Sequence, residues 1–203
     1  MEGQVRKGKL FVLAGPSGVG KGTLRARALD DVENLVYSIS CTTRRPRSGE
    51  REGVDYHFVT QEDFEDKVVR GLFLEHAVVH GDCYGTLRED VERETNAGCD
   101  VLLEIDVQGA RQVRRLLPES VLIFVAPPSL EVLEQRLRQR KTESEEKIGL
   151  RLENARKEMR EIGEYNHVVL NNVLDQAAAE LRNIVLGYRE SYRENHQKSG
   201  HAL

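Results

Sequence analysis

LFVLAGPSGVGKGTLRARAL, residues 10–29, joins an unbroken apolar run to a glycine-rich turn and then to a helix-favouring stretch. Five apolar residues in a row, Leu10–Ala14, read as a strand buried on both faces of a parallel sheet. The turn contains G-x-x-x-x-G-K, the phosphate-binding loop. Its glycines let backbone N–H groups turn inward around phosphates, and the following helix presents its positive end to them. Gly15, Pro16, Ser17, Gly18, Val19, Gly20, Lys21, Gly22 and Thr23 are therefore candidates for cradling a nucleoside triphosphate. Lys21 supplies a mobile cation for the β- and γ-phosphates. Gly22 stands where the motif expects Ser or Thr, so the candidate magnesium-ligating hydroxyl falls one place later, on Thr23.

Outward from this unit, LVYSIS (35–40), DVLLEID (100–106), VLIFVA (121–126) and HVVLN (167–171) read as further strands. EHAVVHG (75–81) also reads as strand rather than helix. Helices fall between them. Ser129 caps one that carries Leu130, Leu133 and Leu137 on a single stripe. Ile148, Leu152, Ala155, Met159 and Ile162 recur at helical spacing, as do Ala177, Leu181, Ile184 and Tyr188 in a last helix expected to fray after Tyr192. Thr60 and Asp63 form a capping box for a short helix that places Phe64 and Val68 on one face and stops at Gly71. Strands alternating with helices predict an α/β fold, a parallel sheet with helices on both faces. Residues 40–87 and 136–151 fit the alternation poorly and read as excursions that cover a site.

The chain has 203 residues, 39% hydrophobic and 32% charged, enough for one generous globular domain. Thirty basic against 34 acidic residues give a net charge of −4, which argues against nucleic acid or an acidic membrane as partner. No stretch is long and apolar enough for a transmembrane helix, and the N-terminus lacks a secretory pattern. Cys41, Cys83 and Cys99 form no C-x-x-C pair, which fits a reduced, cytoplasmic protein. His76 and His80 have a spacing that could share a helix face, but on a strand they are read as ordinary polar residues rather than metal ligands.

Glu104 and Asp106 end a buried strand at the carboxyl edge, where doubly wound sheets bind ligands. A carboxylate there, beside a phosphate loop, would hold Mg²⁺ directly or through water, so Glu104 joins Thr23 as a metal candidate. SCTTRRPRSGEREGVDY (40–56) gathers hydroxyls, four arginines and a tyrosine within seventeen residues. Arginine forks match phosphate geometry, although by itself such a loop could equally be solvated or contact RNA. Arg136 and Arg140 are four apart on a helix and face the same way. With Arg151 they could cover a transferring phosphoryl group, or simply lace a surface helix with ion pairs.

Taken together, LFVLAGPSGVGKGT, SISCTTRRPRSGEREGVDYHF, LEHAVVHGDCYGT, VLLEIDVQGA, IFVAPPS, RLRQRKTESEEKIGLRL and VVLNN resemble the guanylate kinases, nearly end to end. The resemblance implies a phosphate-loop core (1–39, 88–132 and 152–203), a GMP-binding region (40–87) and a lid (133–151). It implies ATP-dependent phosphorylation of GMP and dGMP, with Mg²⁺ accompanying ATP, within purine nucleotide metabolism. Ser40, Arg44, Arg47, Tyr56 and Tyr84 would meet the GMP phosphate, while Glu75, Thr86 and Asp106 would meet guanine. Asn171 would lie on the ATP side. Lys21, Arg44, Arg136, Arg140 and Arg151 would be catalytic. The partners implied are small nucleotides, with a homo-oligomer left open.

Guanine presents N1–H and N2–H₂ donors, so a carboxylate can accept both, and adenine has no such pair. Four positions depart from the family pattern: His76 and Cys83 replace aromatics, Lys141 replaces a glycine, and Asn172 replaces an aspartate. A peptide-binding scaffold on the same framework would be expected to have lost Lys21 or the lid arginines. A kinase for another monophosphate would differ at Glu75 and Thr86. A GTPase is disfavoured because no N-K-x-D string occurs.

Overall fold

The structure, a computed structural model, describes residues 6–79, 81–139 and 144–199, of which 191–199 through their backbone alone. In chain order the elements are β1 (Leu10–Ala14), α1 (Lys21–Leu29), β2 (Leu35–Tyr37), β3 (Cys41–Thr42), β4 (His57–Phe58), α2 (Gln61–Val69), β5 (Phe73–Val79), β6 (Asp82–Leu87) and α3 (Arg88–Asn96). There follow β7 (Asp100–Glu104), α4 (Val107–Leu116), β8 (Val121–Ala126), α5 (Leu130–Gln139), α6 (Glu145–Met159), a 3₁₀ turn (Ile162–Glu164), β9 (His167–Leu170) and α7 (Leu174–Ser199).

A parallel five-stranded sheet in the order β2-β7-β1-β8-β9 forms the core. The strands are unbroken apolar runs because both faces are covered. Along β1 the side chains alternate: Phe11 and Leu13 enter the cluster with Leu24, Leu133, Leu137 and Leu181, while Leu10, Val12 and Ala14 enter the one with Leu103, Ala110 and Val113. The chain leaves β1 towards β2 and β7 on one side and β8 and β9 on the other. The carboxyl ends of β1 and β7 therefore splay at a topological switch point. The phosphate loop leaves β1 there and Glu104 ends β7 there.

A second sheet, β4-β3-β6-β5, is built from the excursion at 40–87 and is largely antiparallel. Of its strands only β5 was legible in the sequence. The sheet has its own small core, in which α2 lays Phe64 against Phe73 with ring centroids 4.6 Å apart, beside Cys41. Thr60 caps α2 as expected, its hydroxyl accepting from the Asp63 amide.

Several boundaries differ from the sequence reading. The strand expected over 35–40 ends at Tyr37, where the chain turns into the second sheet. The strand expected through Asp106 ends at Glu104, because Asp106 is the N-cap of α4 and its Oδ1 accepts from the Gly109 amide at 2.9 Å. β9 stops one residue short of Asn171. Ser144 caps α6, which ends at Met159, so Ile162 lies in the 3₁₀ turn and not on the helix. α7 continues through Ser199, past the expected fraying point. Helices α3 and α4 had no counterpart in the sequence reading. Among the described residues no helix is long and apolar enough to cross a membrane.

Candidate active site

The phosphate loop is shaped by close approach. Gly15 has φ of +145°, and a Cβ there would fall 2.3 Å from the Val125 carbonyl oxygen of β8. Gly20, at φ 95° and ψ 30°, takes the left-handed turn that starts α1. Lys21 Nζ reaches back across the loop to the Gly15 carbonyl at 2.6 Å and to that of Pro16 at 3.4 Å. That places a cation inside the ring of backbone amides.

A cleft of about 680 Å³ opens between this loop and the second sheet. Gly15, Ser17 and Lys21 line one wall, and Ser40, Arg44, Arg47, Tyr56, Glu75 and Tyr84 line the other. Glu104 and Asp106 form the floor, and α6 contributes Arg151 from above. The structure thus gathers most of the sequence-derived residues around one cavity.

Arg44 is held from three sides. Its guanidinium forms a two-pronged pair with Glu50 at 2.8 and 3.0 Å, its Nε donates to the Tyr84 hydroxyl at 3.2 Å, and it lies 5.3 Å from the Tyr56 ring centroid. Glu50 also accepts from the Arg47 amide at 2.7 Å, which ties the arginine loop into one turn. The Arg44 hydrogen bond holds the Glu50 carboxyl below its ordinary range. Glu50 was not singled out in the sequence, although an acid among four arginines was a signal. Tyr56 packs edge-on against Tyr84, and burial raises its hydroxyl above the usual value.

Glu75 is 3% exposed, and its Oε1 accepts from the Thr86 hydroxyl at 2.6 Å. Burial, with the nearby Asp106 charge in support, pushes its pKa up to about 7 against the Thr86 hydrogen bond. Thr86 is fully buried and acts on the cleft through Glu75.

Glu104 is also raised by burial, opposed by the charges of Lys21 and Arg25. The Arg25 Nε lies 3.7 Å from it, and the same guanidinium stacks 4.3 Å from the Tyr37 ring centroid. The Glu104 carboxylate stands over the first turn of α1: a Cβ on Gly22 would lie 3.5 Å from it. Such a lone carboxylate beside a phosphate loop suits Mg²⁺ held mainly by nucleotide phosphates and water. No group of three or more candidate metal ligands occurs among the described residues, so an all-protein cage is not what this site offers. Thr23, the candidate magnesium-ligating hydroxyl, is exposed and lines a different hollow from Glu104.

That second hollow, about 360 Å³, lies on the other flank of the loop with Gly18, Val19, Gly20, Thr23, Arg136 and Asn171. Asn171 Nδ2 and Arg136 both donate to the Val19 carbonyl, at 2.9 and 3.2 Å, and Arg136 also donates to the Asn171 carbonyl at 2.9 Å. Arg151 instead donates to Ser17 Oγ at 3.1 Å. The lid arginines therefore flank the loop and do not meet in one cavity, and Arg140 lies outside the described residues, as does His80.

A central parallel strand running into a glycine-rich loop, with a lysine at the helix start and a carboxylate on the neighbouring strand, defines a phosphate-loop nucleotide-binding α/β protein. The guanylate kinase family model matches residues 7–188. A guanylate kinase of Thermus thermophilus is 52% identical over 90% of this chain and 83% of its own length. One of Syntrophotalea carbinolica is 48% identical over 89% and 86%. The crystal structure of guanylate kinase from Anaplasma phagocytophilum superposes with a TM-score of 0.74 at 34% identity, covering 90% of this chain and 87% of that one. The chain belongs to the guanylate kinase family.

Proposed function

We infer that this chain transfers the γ-phosphoryl group of ATP to GMP, giving ADP and GDP. The observation that carries the substrate assignment is the buried Glu75–Thr86 pair facing Asp106, in the same cleft as Lys21. A carboxylate accepts from guanine N1–H and N2–H₂, and Thr86 acts on the base through Glu75, whose Oε1 it holds. AMP would leave these buried acceptors unpaired, which is strongly unfavourable.

Residues 1–39, 88–132 and 152–203 act as the core, 40–87 as the GMP-binding region and 133–151 as the lid. Arg44, pre-aimed by Glu50 and Tyr84, holds the GMP phosphate with Ser40, Arg47, Tyr56 and Tyr84. The loop amides and Lys21 hold the triphosphate, with Asn171 on the far flank. Arg151, on Ser17, and Arg136, on the loop backbone, cover the transferring group from the two flanks of the loop. Arg140 joins them. Glu104 would hold Mg²⁺ directly or through water, and the ion would supply charge neutralisation for the ATP phosphates. The acceptor is already an anionic phosphate oxygen, so no side chain has to remove a proton, and catalysis is positioning plus charge stabilisation. The reduced thiols Cys41, Cys83 and Cys99 suit a cytoplasmic setting, and burial pushes the Cys41 thiol up to about 11.

A coupled assay of ADP formation with GMP, AMP, UMP and CMP tests this reading. Turnover should require GMP, and equal or better use of another monophosphate would overturn the assignment.

A further inference from the structure

The second oxygen of Glu75 lies against α4. A Cβ on Gly109 would come within 2.2 Å of Glu75 Oε2 and 2.9 Å of its carboxyl carbon, distances no side chain tolerates. Gly109 sits inside a helix with ordinary backbone angles, so no unusual conformation demands glycine there. Alanine would ordinarily strengthen such a helix. What glycine provides here is space.

The strand that carries Glu75 is not placed to give way. Gln112 of α4 donates to the His76 carbonyl at 2.7 Å and accepts from the His76 amide at 3.2 Å, one residue from Glu75. Gln108 donates to the Val78 carbonyl at 3.3 Å. These bonds fasten β5 to α4. An added methyl group must then displace the carboxylate itself, which would break its 2.6 Å bond to Thr86. The Gly109 amide also fixes the other acid of the site, since it donates to Asp106 Oδ1 at 2.9 Å.

We propose that Gly109 is a specificity-determining residue of the guanine site, its missing side chain setting where the Glu75 carboxylate stands relative to Asp106. The inference rests on the GMP reading above and adds a residue to it. Gly109→Ala swings the carboxylate away from the line on which guanine's donors approach, while the phosphate loop is untouched.

The test combines Gly109→Ala, Glu75→Asp and the double variant, with KM for GMP and ATP, kcat and melting temperature measured for each. Gly109→Ala should raise the GMP KM about tenfold or more, the scale of a lost charged hydrogen bond, with the ATP KM held and any fall in melting temperature recovered by Glu75→Asp. Glu75→Asp shortens the side chain by one methylene and withdraws its oxygens from α4. In that background Gly109→Ala should therefore cost far less. An unchanged GMP KM, the same penalty in both backgrounds, or an equal loss in ATP KM in folded protein would each overturn the proposal. If Gly109→Ala fails to fold, restoration of folding by Glu75→Asp supports the contact and its failure refutes it. Wild-type protein that does not phosphorylate GMP would sink the functional reading itself, and that result is seen before any variant is made.

Discussion

Glu75→Gln separates the two things Glu75 does, because they move in opposite directions. In the folded protein its pKa is about 7 against an ordinary 4.5, so the fold disfavours the carboxylate. For an acid raised in this way the native state binds more protons than the unfolded chain between those two values. Stability therefore falls as pH rises from 4.5 to about 7 and levels off above. The shift corresponds to roughly 3 kcal/mol at pH 8. The neutral glutamine does not bear this cost. It keeps one oxygen to accept from Thr86, so the variant should melt higher than wild type at pH 8 and about the same at pH 4.5. Its GMP use should nevertheless collapse. Glutamine turns an NH₂ donor towards guanine's donors and loses a charged hydrogen bond of about 1.5–3 kcal/mol, which corresponds to a loss of about 10- to 10²-fold in kcat/KM. Calorimetry at the two pH values and separate KM determinations for GMP and ATP decide the matter. A variant that is destabilised at pH 8 and impaired for both nucleotides alike would refute the reasoning, since Glu75 would then be a structural anchor only.

The same titration predicts that the GMP KM of the wild type rises as pH falls below about 7, by up to tenfold per unit, because guanine needs the ionised form; Glu75→Gln should flatten that dependence, and a profile unaltered by the substitution would count against it. Lys21→Ala should lower kcat by about 10²–10³-fold with the fold intact, as expected for loss of a cation aimed at developing charge, and near-normal turnover would remove Lys21 from the chemistry. Glu50→Gln should raise the GMP KM several-fold and leave the ATP KM alone, since it loosens Arg44 and touches nothing on the loop; steady-state kinetics with each substrate varied in turn measures it. Residues 40–87 and 133–151 should gain hydrogen-exchange protection when both nucleotides bind, and unchanged exchange in both segments would argue against closure.

The phosphate loop was legible because its chemistry is local: glycines, lysine and flanking apolar strand all fall within twenty residues. The core strands were legible because burial on both faces leaves an unbroken apolar signature, as in Val121–Ala126. The second sheet was not, since β3 and β4 are two residues each and owe their existence to partners far along the chain. Helix α3 escaped because its buried residues are Val91 and Thr95 in an otherwise charged run. In sequence Asp106 reads as a strand end, because a cap and a strand terminus look alike until the Gly109 amide is seen to point at it. The site residues came largely through the family resemblance. Spacing alone gave neither the Glu75–Thr86 bond nor the Glu50 clamp, both of which join residues across a sheet or a turn. Thr23 lines the other hollow, as a one-residue shift on a helix turns a side chain through about 100°.

Direct transfer requires that a triphosphate and a guanine monophosphate meet in one cleft. Incubation with γ-labelled ATP, in the presence and absence of GMP, tests it most directly. The label should appear in GDP, only when GMP is present, and should not appear in ADP when AMP is offered instead at the same concentration. Label released chiefly as inorganic phosphate, or passed to AMP as readily as to GMP, would contradict the account.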